Sequence, residues 1–220
     1  MNNLHVEDIE LQEFILSEAD TAIPLEIFRP EGSTDAEVLV YPCCLPALAS
    51  RLKRESDLFL KENITDIQHV LTPLMEENGF VASPDGVPCI CEYRLDSGAA
   101  INRSLILPET VMEYDDCPEE EAKVSAFHIA EGRKAAAAAL NDLCEDDSVE
   151  IHVECQPAYR KRGYASSCVA KLTEYYTGKG HSVRYLCRIQ NKASMRIAEK
   201  VGFRLEGRRL SFVYYRRGSL

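Results

Sequence analysis

The sequence predicts an α+β fold because it carries two hydrophobic periods side by side. From Ser148 to Cys155, Val149, Ile151 and Val153 alternate with Glu150, His152 and Glu154, the period of a half-buried strand. A few residues on, Ala165, Cys168, Val169, Leu172 and Tyr176 recur at the spacing of one helical face. At 220 residues, 45% hydrophobic and 28% charged, the chain has a globular composition and length for one large domain or two small ones.

Earlier in the chain, Glu37–Tyr41 predicts a short strand stopped by Pro42. Between Pro46 and Met75, Leu48, Leu52, Phe59, Ile64, Ile67, Leu71 and Leu74 recur at threes, fours and fives, as an amphipathic helix or helix pair requires. Asn78-Gly79 and Ser83-Pro84-Asp85-Gly86 supply turn chemistry that closes this unit. Residues 1–95 are thus expected to be an α-rich, acidic N-terminal module, followed by a second domain at 96–220. Within the second, Val124–Ala130 and Lys134–Leu140 flank Glu131-Gly132-Arg133 and predict a β-hairpin. The alanines at 135–139 favour a helix by propensity, but the run ends too soon for a stable isolated one.

Charge and cysteine usage narrow the class. Residues 1–149 hold 31 acidic and 10 basic side chains, whereas residues 150–220 hold 5 and 15, so the total of −11 conceals a part at −21 and a part at +10. A basic block of this kind suits nucleic acid, an anionic surface or a phosphorylated ligand. Its cations lie among apolar residues at sheet and helix spacing, with no helix-turn-helix or RNA-stacking signature, which disfavours nucleic acid. No apolar run reaches the roughly 18 residues of a membrane helix, and Glu7, Asp8, Glu10, Glu13, Glu18 and Asp20 stand where a leader would carry basic residues. A cytoplasmic protein is expected, its nine cysteines reduced thiols rather than a disulfide framework. Neither Cys43-Cys44 nor Cys89-x-Cys91 has a partner at metal-ligand spacing, so no metal is expected.

The chemistry concentrates after the alternating strand. Gln156-Pro157 turns the chain into Arg160-Lys161-Arg162-Gly163-Tyr164-Ala165, and the helical face follows. A strand leading through a basic, glycine-containing turn into a helix directs unpaired N–H groups and the positive end of the helix dipole outward, which is an anion site. Next come a strand at Val183–Ile189, the segment Asn191-Lys-Ala-Ser194, and a short helix with Ile197, Ala198 and Val201 that ends at Gly202. Asn191 and Ser194 are each candidates for its N-cap. Phe203–Glu206 and Leu210–Tyr215 predict a terminal pair of strands joined through Gly207.

In this order and spacing, R-x-x-G-x-A followed by N-x-x-S and K-x-G-F resembles the GNAT superfamily of acyl-CoA-dependent N-acetyltransferases, specifically over Ser148–Phe203 and more loosely over Val124–Tyr215. The resemblance implies a three-layer fold whose mixed sheet, flanked by helices, splays between the strands at 148–155 and 183–189. It assigns the alanine run to a strand. Acetyl-CoA is the implied cofactor, its pantetheine arm meeting the backbone of Val153, Glu154 and Cys155. Arg160, Lys161, Arg162, Gly163, Tyr164, Ala165 and Ser166 would surround its diphosphate, with Asn191 and Ser194 also in contact.

The implied reaction is direct transfer of an acetyl group to a primary amine. Glu150 is the favoured base, with His152 and Glu154 on the same strand face. The family often carries a Tyr to protonate the departing thiolate where this chain has Ala198, so water, Ser194, Tyr214 or Tyr215 is left to finish the step. That departure also keeps open a catalytically silent acyl-CoA-binding or sensor domain. The acidic N-terminal part would steer a cationic acceptor. Edge strands of such folds often pair across a dimer, which leaves room for a homodimer.

Overall fold

The structure is a computed structural model that describes residues 4–8, 21–34, 36–40, 64–114, 124–144 and 146–218. Two compact units form: residues 1–90 with 207–220, and residues 91–206.

In the first unit, β1 (Leu4–Asp8) pairs in parallel with β3 (Ala36–Val40), and β3 pairs antiparallel with β2 (Thr21–Pro30). The far edge of β2 meets β11 (Arg204–Arg216), which also pairs with the short β4 (Phe80–Ala82). The helix α1 (Ile64–Glu77) buries Ile67, Leu71, Leu74 and Met75, one face at the helical period. These pack with Leu25, Ile27, Val38, Phe80, Phe212 and Tyr214 into one core. The part of the expected helix at 46–63 lies outside the described residues, as does Tyr41 of the strand expected at 37–41.

The expectation of an α-rich N-terminal module is corrected, since the described residues before position 96 form β1 to β4, then β5 (Cys89–Leu95), and one helix. The helical period at 64–75 is the stronger signal in the sequence, whereas β2 contains Pro24, which argues against a strand. Pro24 is tolerated because the β2–β11 register shifts between Phe212 and Tyr214, opposite Leu25 and Ala22. At such an irregularity the missing N–H interrupts no regular ladder.

A second correction concerns the C-terminus, where the pair of strands expected to join through Gly207 is the single strand β11. Gly207 is a close-approach position within it. A Cβ there would collide with the Arg29 carbonyl oxygen and lie 2.6 Å from Cζ of Phe28. Gly207→Val is therefore expected to destabilise the first unit by about 3 kcal/mol through overpacking, measured as a lower urea midpoint at unchanged slope.

The second unit is a mixed sheet flanked by helices. β6 (Thr110–Tyr114), β7 (Val124–Ala130), β8 (Arg133–Leu143) and β9 (Val149–Cys155) form an antiparallel meander, and β10 (Val183–Arg188) pairs with β9 in parallel and stands next to β5. The alanine run is a strand, with Ala135, Ala136 and Ala138 buried. Its small side chains let α2 (Tyr164–Gly178) come close, so that Cys168 Sγ donates to the Ala136 carbonyl at 3.5 Å. α3 (Lys192–Val201) adds Ala198 and Val201 to the same core, alongside Tyr93, Tyr185 and Phe203.

Candidate active site at the gap between β9 and β10

β9 and β10 pair at Val149–Val183, Glu150–Arg184 and Ile151–Tyr185, and the ladder goes no further although β9 runs on to Cys155. Peptide groups along a strand point alternately to its two neighbours. Val149 N–H donates to the Ser182 carbonyl at 2.9 Å, while Gln156 N–H donates to Ala135 on the opposite side at 3.0 Å. Odd-numbered residues of β9 thus direct N–H and C=O toward β10, so those of Val153 and Cys155 enter the gap. The Cys155 carbonyl accepts Arg160 Nε at 3.4 Å, leaving the Val153 N–H and C=O and the Cys155 N–H as the strand's open groups there. Glu154 pairs with Ala137 and turns its peptide groups to β8, so the expected backbone contribution of Glu154 is corrected.

Beyond β9 the chain makes a single 3-10 turn at Pro157–Tyr159 and reaches Arg160, Lys161 and Arg162. Lys161 has φ 63°, and Gly163, the N-cap of α2, has φ 87° and ψ −7°. Two left-handed residues around Arg162 curve the backbone into the kind of concavity that binds anions. No side chain caps α2, and its first intrahelical bond is Ser167 N–H to the Gly163 carbonyl. The N–H groups of Tyr164, Ala165 and Ser166 therefore have no intrahelical partner. A Cβ on Gly163 would meet nothing within 4 Å, so the space beside this residue of the turn is open. Arg184, Arg204, Arg208 and Arg209 each form an ion pair, whereas Arg160, Lys161 and Arg162 have no carboxylate partner among the described residues. Unpaired cations, unpaired N–H groups and open space make a site that fits a diphosphate.

At the start of α3, Asn191 is the N-cap: its Oδ1 accepts the Ser194 N–H at 3.1 Å. That leaves the Asn191 amide NH₂ for a ligand. Nearby, burial raises the phenol of Tyr185 to about 12, an effect that the Ser194 side chain partly offsets. Glu150 is half-buried, and His152 and Glu154 are exposed, on the β9 face opposite the core. Asn141, at a bulge in β8, donates Nδ2–H to Glu150 Oε1 at 2.7 Å, which leaves Oε2 available. Its strand neighbour Arg184 is committed to the buried Glu92 at 3.2 Å. Tyr214 is corrected as a candidate proton donor. It is 1% exposed in the core of the first unit, with its hydroxyl 3.2 Å from Thr72 Oγ1.

Burial pushes the Cys155 thiol above its ordinary range, partly offset by Arg160, so it stays protonated at neutral pH and is not poised as a nucleophile. Burial likewise raises Cys187 to about 11 and Cys168 to about 12. Among the described residues, no cluster of three or more His, Cys, Asp or Glu could hold a metal, and no helix is long and apolar enough to cross a membrane.

Residues 110–209, from β6 into β11, match the family model described as GNAT acetyltransferase. Over that stretch the chain is similar to the GNAT acetyltransferase family. Among solved structures, a protein described as a GNAT-family acetyltransferase from Novosphingobium aromaticivorans DSM 12444 has a TM-score of 0.51 at 18% identity, over 63% of this chain and 68% of its own. A GCN5-related N-acetyltransferase-like protein from Streptococcus suis 89/1591 has a TM-score of 0.44 at 18% identity, over 66% of each chain. A GCN5-related N-acetyltransferase from Sphaerobacter thermophilus has a TM-score of 0.49 at 12% identity, over 94% of this chain and 84% of its own. This chain thus spans about two thirds of the first two relatives. No curated protein matches the sequence.

Within residues 110–209, Asn141 and His128 stand at the site without belonging to any motif of the sequence. Asn141 was hidden because a bulge, which periodicity does not reveal, aims it at Glu150. His128 had a visible signal: it follows Val124 and Ala126 on the buried face of β7, where an imidazole needs a partner.

Proposed function

We propose that this GNAT-like domain is an N-acetyltransferase that moves an acetyl group from acetyl-CoA to a primary amine, small molecule or peptide, by direct attack with both substrates bound. The observation that carries this is the ladder that stops at Ile151–Tyr185 while β9 runs on toward the unpaired cations and N–H groups of the 160–166 turn. Acetyl-CoA, when bound, supplies an acyl group activated as a thioester. Arg160, Lys161, Arg162, Gly163, Tyr164, Ala165 and Ser166 would hold its diphosphate, while Val153, Cys155, Asn191 and Ser194 would hold the pantetheine arm.

The Val153 N–H is a fixed donor for charge developing on a carbonyl oxygen, a role suited to a peptide group that needs no reorientation. Glu150, with one oxygen occupied by Asn141, offers the other to the proton of the attacking amine. A departing thiolate is a tolerable leaving group at a thiol pKa near 8.5, so water or Ser194 suffices to reprotonate it. The acidic first 149 residues favour a cationic acceptor, and the setting we propose is cytoplasmic.

One observation favours the silent acyl-CoA-binding reading: Ala198 is fully buried, so no tyrosine phenol stands there as a proton donor. Calorimetry with acetyl-CoA and a transferase assay against an amine panel separate the two. Binding with turnover supports the enzyme, binding without turnover on any amine supports the sensor, and no binding removes both.

A further inference from the structure

We infer that His128 is a positioning residue for the diphosphate-binding end of α2, acting through Tyr164; this rests on the reading of the 160–166 turn given above. His128 is 3% exposed on β7, and its ring lies against that of Tyr164, with centroids 4.0 Å apart and planes inclined by 19°. Its Nδ1 is 2.9 Å from Thr110 Oγ1 on β6, which is 2.7 Å from Ser167 Oγ on α2. Ser167 Oγ in turn accepts the Leu107 N–H at 2.8 Å. With each hydroxyl accepting one hydrogen bond and donating one, the chain runs from Leu107 through Ser167 and Thr110 to Nδ1 and leaves the ring proton on Nε2.

A histidine on the apolar face of a strand is often no more than a satisfied core residue. What sets this one apart is the partner on its ring face. Tyr164 directly follows Gly163, and its N–H is one of the unpaired donors at the start of α2. Only two side-chain torsions separate its ring from the backbone, so fixing the ring plane restrains the first turn. Tyr164 also meets Tyr159, with centroids 6.4 Å apart and planes inclined by 44°, and Arg162 lies over Tyr159 at 5.6 Å. The buried hydrogen-bond chain thereby reaches, through the His128–Tyr164 stack and the tilted Tyr159 ring, a cation of the anion site. β9 leads straight into that turn, whereas β6 and β7 are distant from it in sequence, and this chain is what ties them to it.

The test compares two ligands on the full chain: CoA by calorimetry, and pantetheine, which has the arm without the diphosphate, by NMR titration. His128→Ala is expected to raise the CoA Kd about tenfold and to leave the pantetheine Kd within about twofold. Thr110→Val, which keeps the stack but unties the imidazole, is expected to raise the CoA Kd about threefold with the same selectivity. His128→Phe, which restores the stack, should recover most of the loss. Equal weakening of both ligands, or unchanged CoA binding in both His128→Ala and Thr110→Val, overturns the inference. If His128→Ala does not fold, Thr110→Val and His128→Phe decide. Wild-type protein that binds neither ligand is a separate result and overturns the diphosphate reading itself.

Discussion

Gly163→Val is expected to abolish CoA binding while leaving the protein folded. Two effects of the substitution act on different quantities. The backbone at Gly163 has φ 87°, where a β-branched residue is strained by about 1–2 kcal/mol, and no protein atom lies within 4 Å of the added Cβ to worsen this. Stability should therefore fall by that strain alone, a loss of several degrees in Tm for a chain of this size. Binding should fall far more, because the side chain grows into the open space beside the turn, where a diphosphate held by the Tyr164, Ala165 and Ser166 N–H groups would need room. Calorimetry should return a CoA Kd at least about 100-fold higher. Gly163→Asn separates the two effects, since asparagine tolerates the left-handed conformation: its Tm should stay near wild type while CoA binding still weakens. Wild-type affinity in both variants would falsify the placement of the diphosphate at this turn.

The same residues illustrate what a sequence can disclose. Gly163 between a cationic turn and an apolar helical face carries its own explanation, because local chemistry dictates local conformation. The alternation at 149–154 likewise predicts which side chains of β9 meet water, and Val149 and Ile151 are buried as that pattern requires. The divergence of β9 from β10 was expected only through the family resemblance, since no property of either strand alone determines how many residues pair. Gly207 shows the limit from the other side. Within a sequence it signals a turn, yet it lies inside β11 because Phe28 and Arg29, nearly 180 residues earlier, crowd the strand there. Tyr214 offers a phenol proton by its chemistry alone, but its burial against Thr72 depends on tertiary packing that spacing cannot reveal.

Glu150→Gln is expected to lower kcat about 100-fold and to leave the acetyl-CoA Kd within about twofold. The split follows from position. Glu150 lies on the β9 face opposite α2 and α3, on the paired part of the strand, whereas the groups that would hold the cofactor are the backbone beyond Ile151 and the 160–166 turn. Glutamine keeps an oxygen that can accept from Asn141 Nδ2, so the bulge in β8 need not rearrange, and what is lost is the carboxylate's capacity to take a proton. Steady-state rates with an amine found active in the panel, set beside calorimetric titration of acetyl-CoA, test both halves of the expectation. His152→Ala is the informative comparison, because His152 shares that strand face and is the first residue beyond the last β9–β10 pair. If turnover survives Glu150→Gln and falls in His152→Ala, the base is the imidazole. Should neither substitution slow the reaction, neither Glu150 nor His152 is the base, and Glu154→Gln decides between the last carboxylate of this strand face and solvent.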